Sequence, residues 1–230
     1  MELKSIIKLY NGSSFPTLVT NEIGEEYVMK MKGAGNGIIS LVSEFIANRI
    51  AHNLNWNVPN VYWIKIEENY PWLFGTDEFD DILTKSYGWN LAIQKISYLK
   101  SISPTFKEMR ELDLLNQLIT LDYFFINIDR SNLSNNFLLS KMNKVYIIDH
   151  GSLTLFYNIS MNDRRLFKNH IYYNELESIL EFLDERILDI ELFKAIFDEI
   201  PDEILLEINF NKEILTKIIE DRISFIKSLY

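Results

Sequence analysis

The apolar pattern of this 230-residue chain changes character near its middle, and that change restricts the fold more than any single motif does. Before residue 97 most apolar residues fall in short runs bounded by turn residues. "TLVT" (17–20), "YVMKMK" (27–32), "VYWIKI" (61–66) and "WNLAIQKI" (89–96) are each expected to be strands. Residues 1–10 alternate weakly and fit a strand or a short helix. "NGSSFP" (11–16) and "NEIGEE" (21–26) supply turns, and "GAGNG" (33–37) a flexible loop. One helix interrupts the strands, "SLVSEFIANRIAHNL" (40–54), with Ser40 as a candidate N-cap and Pro59 beyond its end. The stretch 67–88 is irregular, acidic and aromatic, and reads as an insertion shaping access to a site. From residue 106 the spacing turns helical. "FKEMRELDLLNQLITLDYFFIN" (106–127) reads as one long amphipathic helix, with Leu112, Leu115, Ile119 and Phe124 near one face. Beyond about 175, "ELESILEFLDERIL", "IELFKAIFDEIP", "DEILLEIN" and "KEILTKIIEDRISFIKSLY" are expected helices, with Asp202 and Asn211 as N-caps. Strands first and helices after imply an α+β chain. A sheet-rich N-terminal lobe (1–100) and a helical C-terminal lobe (101–230) would join near "SYLKSISPT" (97–105).

Composition narrows the functions. Hydrophobic residues make up 47%, as in a folded globular protein. The formal net charge of −10 sets up a field that repels nucleic acid and anionic lipid, so neither is a favoured partner. No apolar run approaches the roughly 20 residues that span a bilayer. "MELKSIIKLY" carries charges inside its first apolar stretch and lacks a cleavage pattern, so no signal peptide is expected and the cytoplasm is the expected compartment. The absence of cysteine excludes disulfides and thiolate metal sites. His52, His150 and His170 are not at metal-ligand spacing, so zinc is not expected.

Two regions carry residues suited to chemistry. "NIDRSNLSNNFLLSKMNKVYIIDHG" (127–151) holds Asp129 in a polar loop, then two apolar runs, the second ending in Asp149. Read as a hairpin, it sets both carboxylates at the same end. A carboxylate at a strand end suits Mg²⁺, a hard ion, and an asparagine carbonyl from the preceding loop would complete the protein's share. Asp129 would accept or orient the proton of an attacking hydroxyl. Arg130 would neutralise phosphate charge or orient a neighbouring carboxylate. The alternative gives Asp129, Asn135 and Asn136 turn-capping roles and makes Asp149 the start of a turn. In the N-terminal half, strand alternation places Lys30 with Val28, opposite Tyr27 and Met29. A lysine on that face needs a partner or a ligand. Glu44 follows on the helix, and a strand lysine held by a helix glutamate is how protein kinases aim an ammonium at ATP phosphates. A surface lysine and a solvated glutamate are the other reading. Gly12, Ser13 and Ser14 would offer backbone N–H and hydroxyl donors to phosphate, or form a plain turn; the loop is not a Walker A motif.

In order and spacing these stretches resemble the HipA-like kinase family, in particular its compact bacterial members, over roughly residues 10–175. "GSSFPTLV…EEYVMKMKG" is similar to the family's phosphate loop and lysine strand, and "LVSEFIANRIAHNLNWNVP" to its glutamate helix. "YGWNLAIQKI" is similar to the strand leading to the adenine hinge. "LDYFFINIDRSNLSNNFLL…VYIIDHGSLTLFYN" is similar to the catalytic loop and metal strand, and "NHIYY" (169–173) to a downstream segment. The resemblance implies a two-lobed protein-kinase-like fold with ATP and Mg²⁺ between the lobes and a protein Ser/Thr substrate. It implies that Lys30 contacts phosphates, Glu44 holds Lys30, Asp129 is the catalytic base and Asp149 holds Mg²⁺, with His150-Gly151 in the place of the kinase Phe-Gly. One position departs. Where the family has a metal-binding asparagine five residues after the catalytic aspartate, this chain has Ser134, followed by Asn135 and Asn136. Either a one-residue shift brings Asn135 to the metal, or Ser134 serves through its hydroxyl or a water. Without either, the chain would be a nucleotide-binding pseudokinase acting as a regulatory module; a purely structural protein whose acidic helical tail docks a partner is a third reading. The phosphate loop also places Ser13 or Ser14 where autophosphorylation is expected.

Overall fold

The computed structural model describes residues 1–10, 12, 14–35, 37–71, 77–131, 136–157, 168–175 and 178–230. The expected strands form β1 (Leu3–Leu9), β2 (Thr17–Asn21), β3 (Glu26–Lys30), β4 (Val61–Ile66) and β5 (Gly88–Gln94). They make one antiparallel sheet in the order β1-β2-β3-β5-β4. A parallel bridge between Glu2 and Lys65 brings the two edge strands together at one end. Tyr27 and Met29 point into a small core with Val19, Ile64 and Phe79, while Val28 and Lys30 face the other way, as alternation requires.

The helix after β3 starts earlier than its sequence suggests. It is α1 (Gly37–Asn53), and Ser40 sits in its first turn rather than capping it. The Ser40 hydroxyl donates instead to the Gly151 carbonyl, at 2.7 Å. The stretch read as irregular holds α2 (Asp77–Lys85). Asp77, Glu78 and Asp80 favour the positive end of that helix, and Phe79 and Leu83, one turn apart, are buried in the small core. The helix packs so closely on the loop after β3 that a Cβ at Gly33 would lie 2.5 Å from the Ile82 carbonyl oxygen.

A second sheet, β6-β7-β8, joins β6 (Tyr98–Ile102), in the stretch read as a connector, to the hairpin β7 (Phe137–Ser140) and β8 (Val145–Ile147). The single long helix expected over 106–127 is two, α3 (Phe106–Glu111) and α4 (Leu115–Phe124). The break is a left-handed helix stop. Asp113 has φ 55, its N–H donates to Arg110, and the Leu114 N–H donates to Met109. Aspartate tolerates that conformation better than most residues, and the turn leaves Leu112 48% exposed instead of on the buried face. Beyond 177, the first expected helix is instead a pair of 3₁₀ turns, Leu180–Phe182 and Glu185–Leu188. Asp184 accepts from the Arg186 N–H, so a side chain competes with the helical ladder there, and Asp189, accepting from the Glu191 N–H, caps the helix that follows. The last three helices are α5 (Ile190–Phe197), α6 (Asp202–Glu207) and α7 (Lys212–Lys227). Pro201, not Asp202, occupies the N-cap of α6, and Asp202 opens its first turn. Asn211 caps α7 as expected, accepting from the Ile214 N–H at 2.7 Å.

The larger core runs through α4, α5 and α7 and takes in the buried face of α1. Two ion pairs extend that attachment, Arg49 to Glu199 beyond α5 and Lys32 to Glu207 on α6, each at 2.8 Å. The helix that follows the lysine strand therefore packs with the helical half of the molecule, while the strand belongs to the smaller core. The result is an α+β, two-lobed fold.

Candidate functional site

Between the two halves lies a cleft of about 410 Å³. Val28, Ile93, Ile96, Leu138 and Ile148 give it apolar walls, and Ser14, Lys30, Glu44 and Asp149 are among the polar groups of its lining. β3 delivers Lys30 and α1 delivers Glu44. Lys30 Nζ donates to both Glu44 carboxylate oxygens, at 2.9 and 2.8 Å, and to Asp149 Oδ1 at 2.5 Å. Burial alone would push the Lys30 ammonium down, but the Glu44 and Asp149 carboxylates outweigh it and hold Lys30 above the usual lysine range. Burial pushes the Glu44 carboxyl up, with the Lys30 charge and the His150 N–H pulling the other way. The Lys30 charge holds Asp149 below the usual carboxylate range. The Asp149 side chain is 42% exposed, and its Oδ2 takes no hydrogen bond from the described residues, so one carboxylate oxygen remains for a cation. Among the described residues no three His, Cys, Asp or Glu side chains form a metal cage. A cleft carboxylate with an exposed oxygen suits Mg²⁺, which is commonly held by one or two carboxylates together with substrate phosphates.

The hairpin explains why Asp149 arrives where it does. Phe137 pairs with Ile147, the Ile148 N–H donates to the Asn136 carbonyl, and the chain then turns through Asp149 with φ 60. Both strands thus leave at the end where the loop carrying Asp129 enters. That loop begins as α4 ends in a second left-handed stop at Ile126, φ 58, a conformation unfavourable for a β-branched residue. Asn127 bonds to the Asp122 carbonyl, Thr154 donates twice to the Ile126 carbonyl, and Arg222 of α7 donates to the carbonyls of Tyr123 and Phe124. The Asp129 N–H donates to Asn127 Oδ1 at 3.1 Å, and Asp129 is exposed. It is not part of the cleft wall formed by Lys30, Glu44 and Asp149.

Beneath this loop sits a buried polar cluster whose hub the sequence reading missed. Asp122, inside α4 and fully buried, accepts from Asn127 Nδ2 at 2.8 Å, Arg130 Nε at 2.5 Å and His170 Nε2 at 3.0 Å. The Tyr172 N–H donates to His170 Nδ1, which assigns the proton to Nε2. Burial would raise the Asp122 carboxyl, but the Arg130 charge and the His170 hydrogen bond hold it well below the carboxylate range. Arg130, expected either to neutralise phosphate charge or to orient a neighbouring carboxylate, is not on the cleft lining. Its guanidinium is buried against Asp122 and over the Phe137 ring, 5.5 Å from the centroid, so its structural work is on a carboxylate, the other role its position suggested. A charge in the middle of an apolar helix face was the available signal for Asp122.

Gly12 is exposed with φ 152, and Ser14 lines the cleft. Asn136 offers its backbone carbonyl to Ile148 and is not on the cleft wall. Ser13, Ser134 and Asn135 lie outside the described residues.

His150 is fully buried, and neither ring nitrogen has a hydrogen-bond partner among the described residues. Burial, then the Arg130 charge, pushes its pKa down to about 3, so the ring is neutral in the fold. A base depressed in this way contributes stability that is fully present above its unfolded pKa of about 6.5 and is lost as the pH falls from there toward about 3. Between pH 6 and 4 the wild-type chain is expected to lose about 1.4 kcal/mol per pH unit through this group. Urea titrations of wild type and His150→Phe at several pH values check this, and equal slopes would refute it.

No curated protein matches the sequence. Among solved structures, the proinflammatory kinase CtkA of Helicobacter pylori is 18% identical with a TM-score of 0.56, over 96% of this chain and 92% of that one, which supports the kinase fold. The Rio2 kinase–ADP/Mg²⁺–phosphoaspartate complex of Chaetomium thermophilum matches at 14% identity and a TM-score of 0.45, over 99% of this chain and 73% of that one. The family model described as HipA-like kinase matches residues 4–223, nearly the whole chain, and the protein belongs to the HipA-like kinase family.

Proposed function

We propose that the protein is an ATP- and Mg²⁺-dependent phosphotransferase acting on a protein Ser or Thr hydroxyl. The observation that carries the reading is the meeting of Lys30, Glu44 and Asp149 on one apolar-walled cleft of about 410 Å³. The apolar walls suit a purine, and the polar lining suits a triphosphate. In this reading Glu44 fixes Lys30, whose ammonium binds phosphate oxygens, while Gly12, Ser13 and Ser14 add donors from the loop above. Asp149 is the metal ligand, with Ser134, Asn135 or Asn136 as the second. Bound Mg²⁺ would supply charge neutralisation between phosphates. Asp129, an exposed carboxylate on the loop before the hairpin, receives the substrate hydroxyl in this reading and accepts or orients its proton. Little covalent help is needed, since positioning and charge stabilisation carry phosphoryl transfer.

The test is incubation with γ-labelled ATP, Mg²⁺ and candidate protein substrates, beside Asp129→Ala and Asp149→Ala. Loss of label in both variants is expected, and label persisting in both would overturn the assignment. Mass spectrometry of the same wild-type reaction is expected to find phosphate on the loop peptide holding Ser13 and Ser14; an unmodified peptide would end the autophosphorylation expectation. Ser134 in place of the expected asparagine favours a second reading, a nucleotide-binding pseudokinase. ATP that raises the melting temperature without Mg²⁺ dependence and without turnover would select it.

A further inference from the structure

The turn that carries Asp149 is fastened to α1 by contacts that do not involve Lys30. The Ser40 hydroxyl donates to the Gly151 carbonyl at 2.7 Å, and the His150 N–H donates to Glu44 Oε1 at 3.3 Å. These contacts lie one helical turn apart on the same helix, since Ser40 and Glu44 are four residues apart. The fit is close. A Cβ on Gly151 would lie 2.9 Å from Ser40 Oγ and 3.4 Å from Glu44 Oε2. The turn itself includes a left-handed residue, Asp149 at φ 60, a conformation that needs support from its surroundings. Helix α1 can supply it, because its buried face belongs to the large core shared with α5 and α7.

We propose that Ser40 is a positioning residue for Asp149, its hydroxyl fastening the Asp149–His150–Gly151 turn to the Glu44 helix and so setting the direction of the metal-binding carboxylate. The division of labour follows from the atoms. Lys30 engages Asp149 Oδ1 and a nucleotide would compete for that ammonium, so the Lys30–Asp149 contact cannot by itself keep the carboxylate aimed once phosphates are bound. The Ser40–Gly151 bond touches neither phosphate nor metal and persists through that exchange. The Mg²⁺ role of Asp149 rests on the phosphotransferase reading above; the fastening itself does not.

The test uses the full chain in two measurements. In nucleotide-free protein, hydrogen exchange of the peptide containing His150 and Gly151 is expected to quicken about tenfold in Ser40→Ala and to return toward wild type in Ser40→Thr, which keeps the hydroxyl. In the second, Mg²⁺ is titrated into protein already holding ATP. Ser40→Ala is expected to need about tenfold more Mg²⁺, with metal-free ATP affinity unchanged. Gly151→Ala attacks the contact from the other side, and its effect should shrink in the Ser40→Ala background, where the missing Oγ leaves room for the added methyl. Wild-type exchange in Ser40→Ala, or full additivity of the two substitutions, would overturn the proposal. A wild-type chain that binds no nucleotide would end the phosphotransferase reading, and the exchange comparison would still decide the fastening. If Ser40→Ala fails to fold, Ser40→Cys with the same exchange measurement decides it: protection equal to wild type, without the hydroxyl, overturns the proposal.

Discussion

Lys30→Met is expected to reduce phosphotransfer by about 10²–10³-fold, the scale seen when one preorganised charge-stabilising donor is removed from a reacting site. The variant keeps the volume of the lysine stem and removes only the ammonium. That ammonium makes three short contacts, two to Glu44 and one to Asp149. Its loss therefore acts on the resting protein as well. Glu44 is 1% exposed and would be left with no cation, and removing one partner of a buried pair typically destabilises by about 3–5 kcal/mol. Glu44 can escape part of that by taking a proton, which its burial already favours. Glu44→Gln should be milder in stability, because Lys30 keeps Asp149, yet still impair transfer by letting the ammonium follow Asp149 instead of the phosphates. Initial rates with labelled ATP and urea unfolding of both variants separate the two effects. Undiminished transfer in Lys30→Met would remove Lys30 from the reaction.

The second large effect is structural. Asp122→Ala is expected to lower stability by about 3–5 kcal/mol, because it removes the buried carboxylate that pairs the Arg130 guanidinium, 1% exposed, in the protein interior. For a chain of this size that corresponds to a melting temperature about 6–20 °C lower. The same substitution removes the acceptor for Asn127 and His170, which hold the start of the Asp129 loop and the segment after residue 167. Asp122 also makes this stability depend on pH. Its carboxyl is depressed in the fold, so its contribution is fully present above the ordinary carboxylate pKa of about 4 and is lost as the pH falls below that value. Asp122→Asn keeps the shape and loses the charge, and should fall between wild type and Asp122→Ala. Thermal melts of the three proteins at pH 7 test the order, and an Asp122→Ala protein as stable as wild type would show that the cluster is dispensable.

The parts of the fold that were legible in the sequence are those where local chemistry and tertiary packing agree. β2, β3, β4 and β5 fall where alternation and turn residues place them, and Asn211 caps α7. The errors fall where one residue's backbone freedom overrides a longer period. Leu112 and Leu115 fit one helix by spacing, but Asp113 in the left-handed region ends α3 and starts α4 in a new direction. Over 175–188 the apolar spacing is helical, yet Asp184 binds the Arg186 N–H and the described residues 178–188 form two short 3₁₀ turns, with Asp189 capping α5 beyond them. Ser40 has the chemistry of an N-cap, and its hydroxyl is taken instead by a carbonyl 111 residues away.

The order of residue types along the chain marked Lys30, Glu44, Asp129 and Asp149 as candidates, because a lysine on a strand face or an aspartate at a strand end is conspicuous against its apolar neighbours. Only the folded arrangement decided which of them touch. Lys30 and Asp149 are 119 residues apart and meet at 2.5 Å, and Arg130, next in sequence to Asp129, turns the opposite way to pair with Asp122. Periodicity reports which face of an element is buried. It does not report which distant element supplies the partner, and for a buried charge the partner determines whether the group serves chemistry or the core.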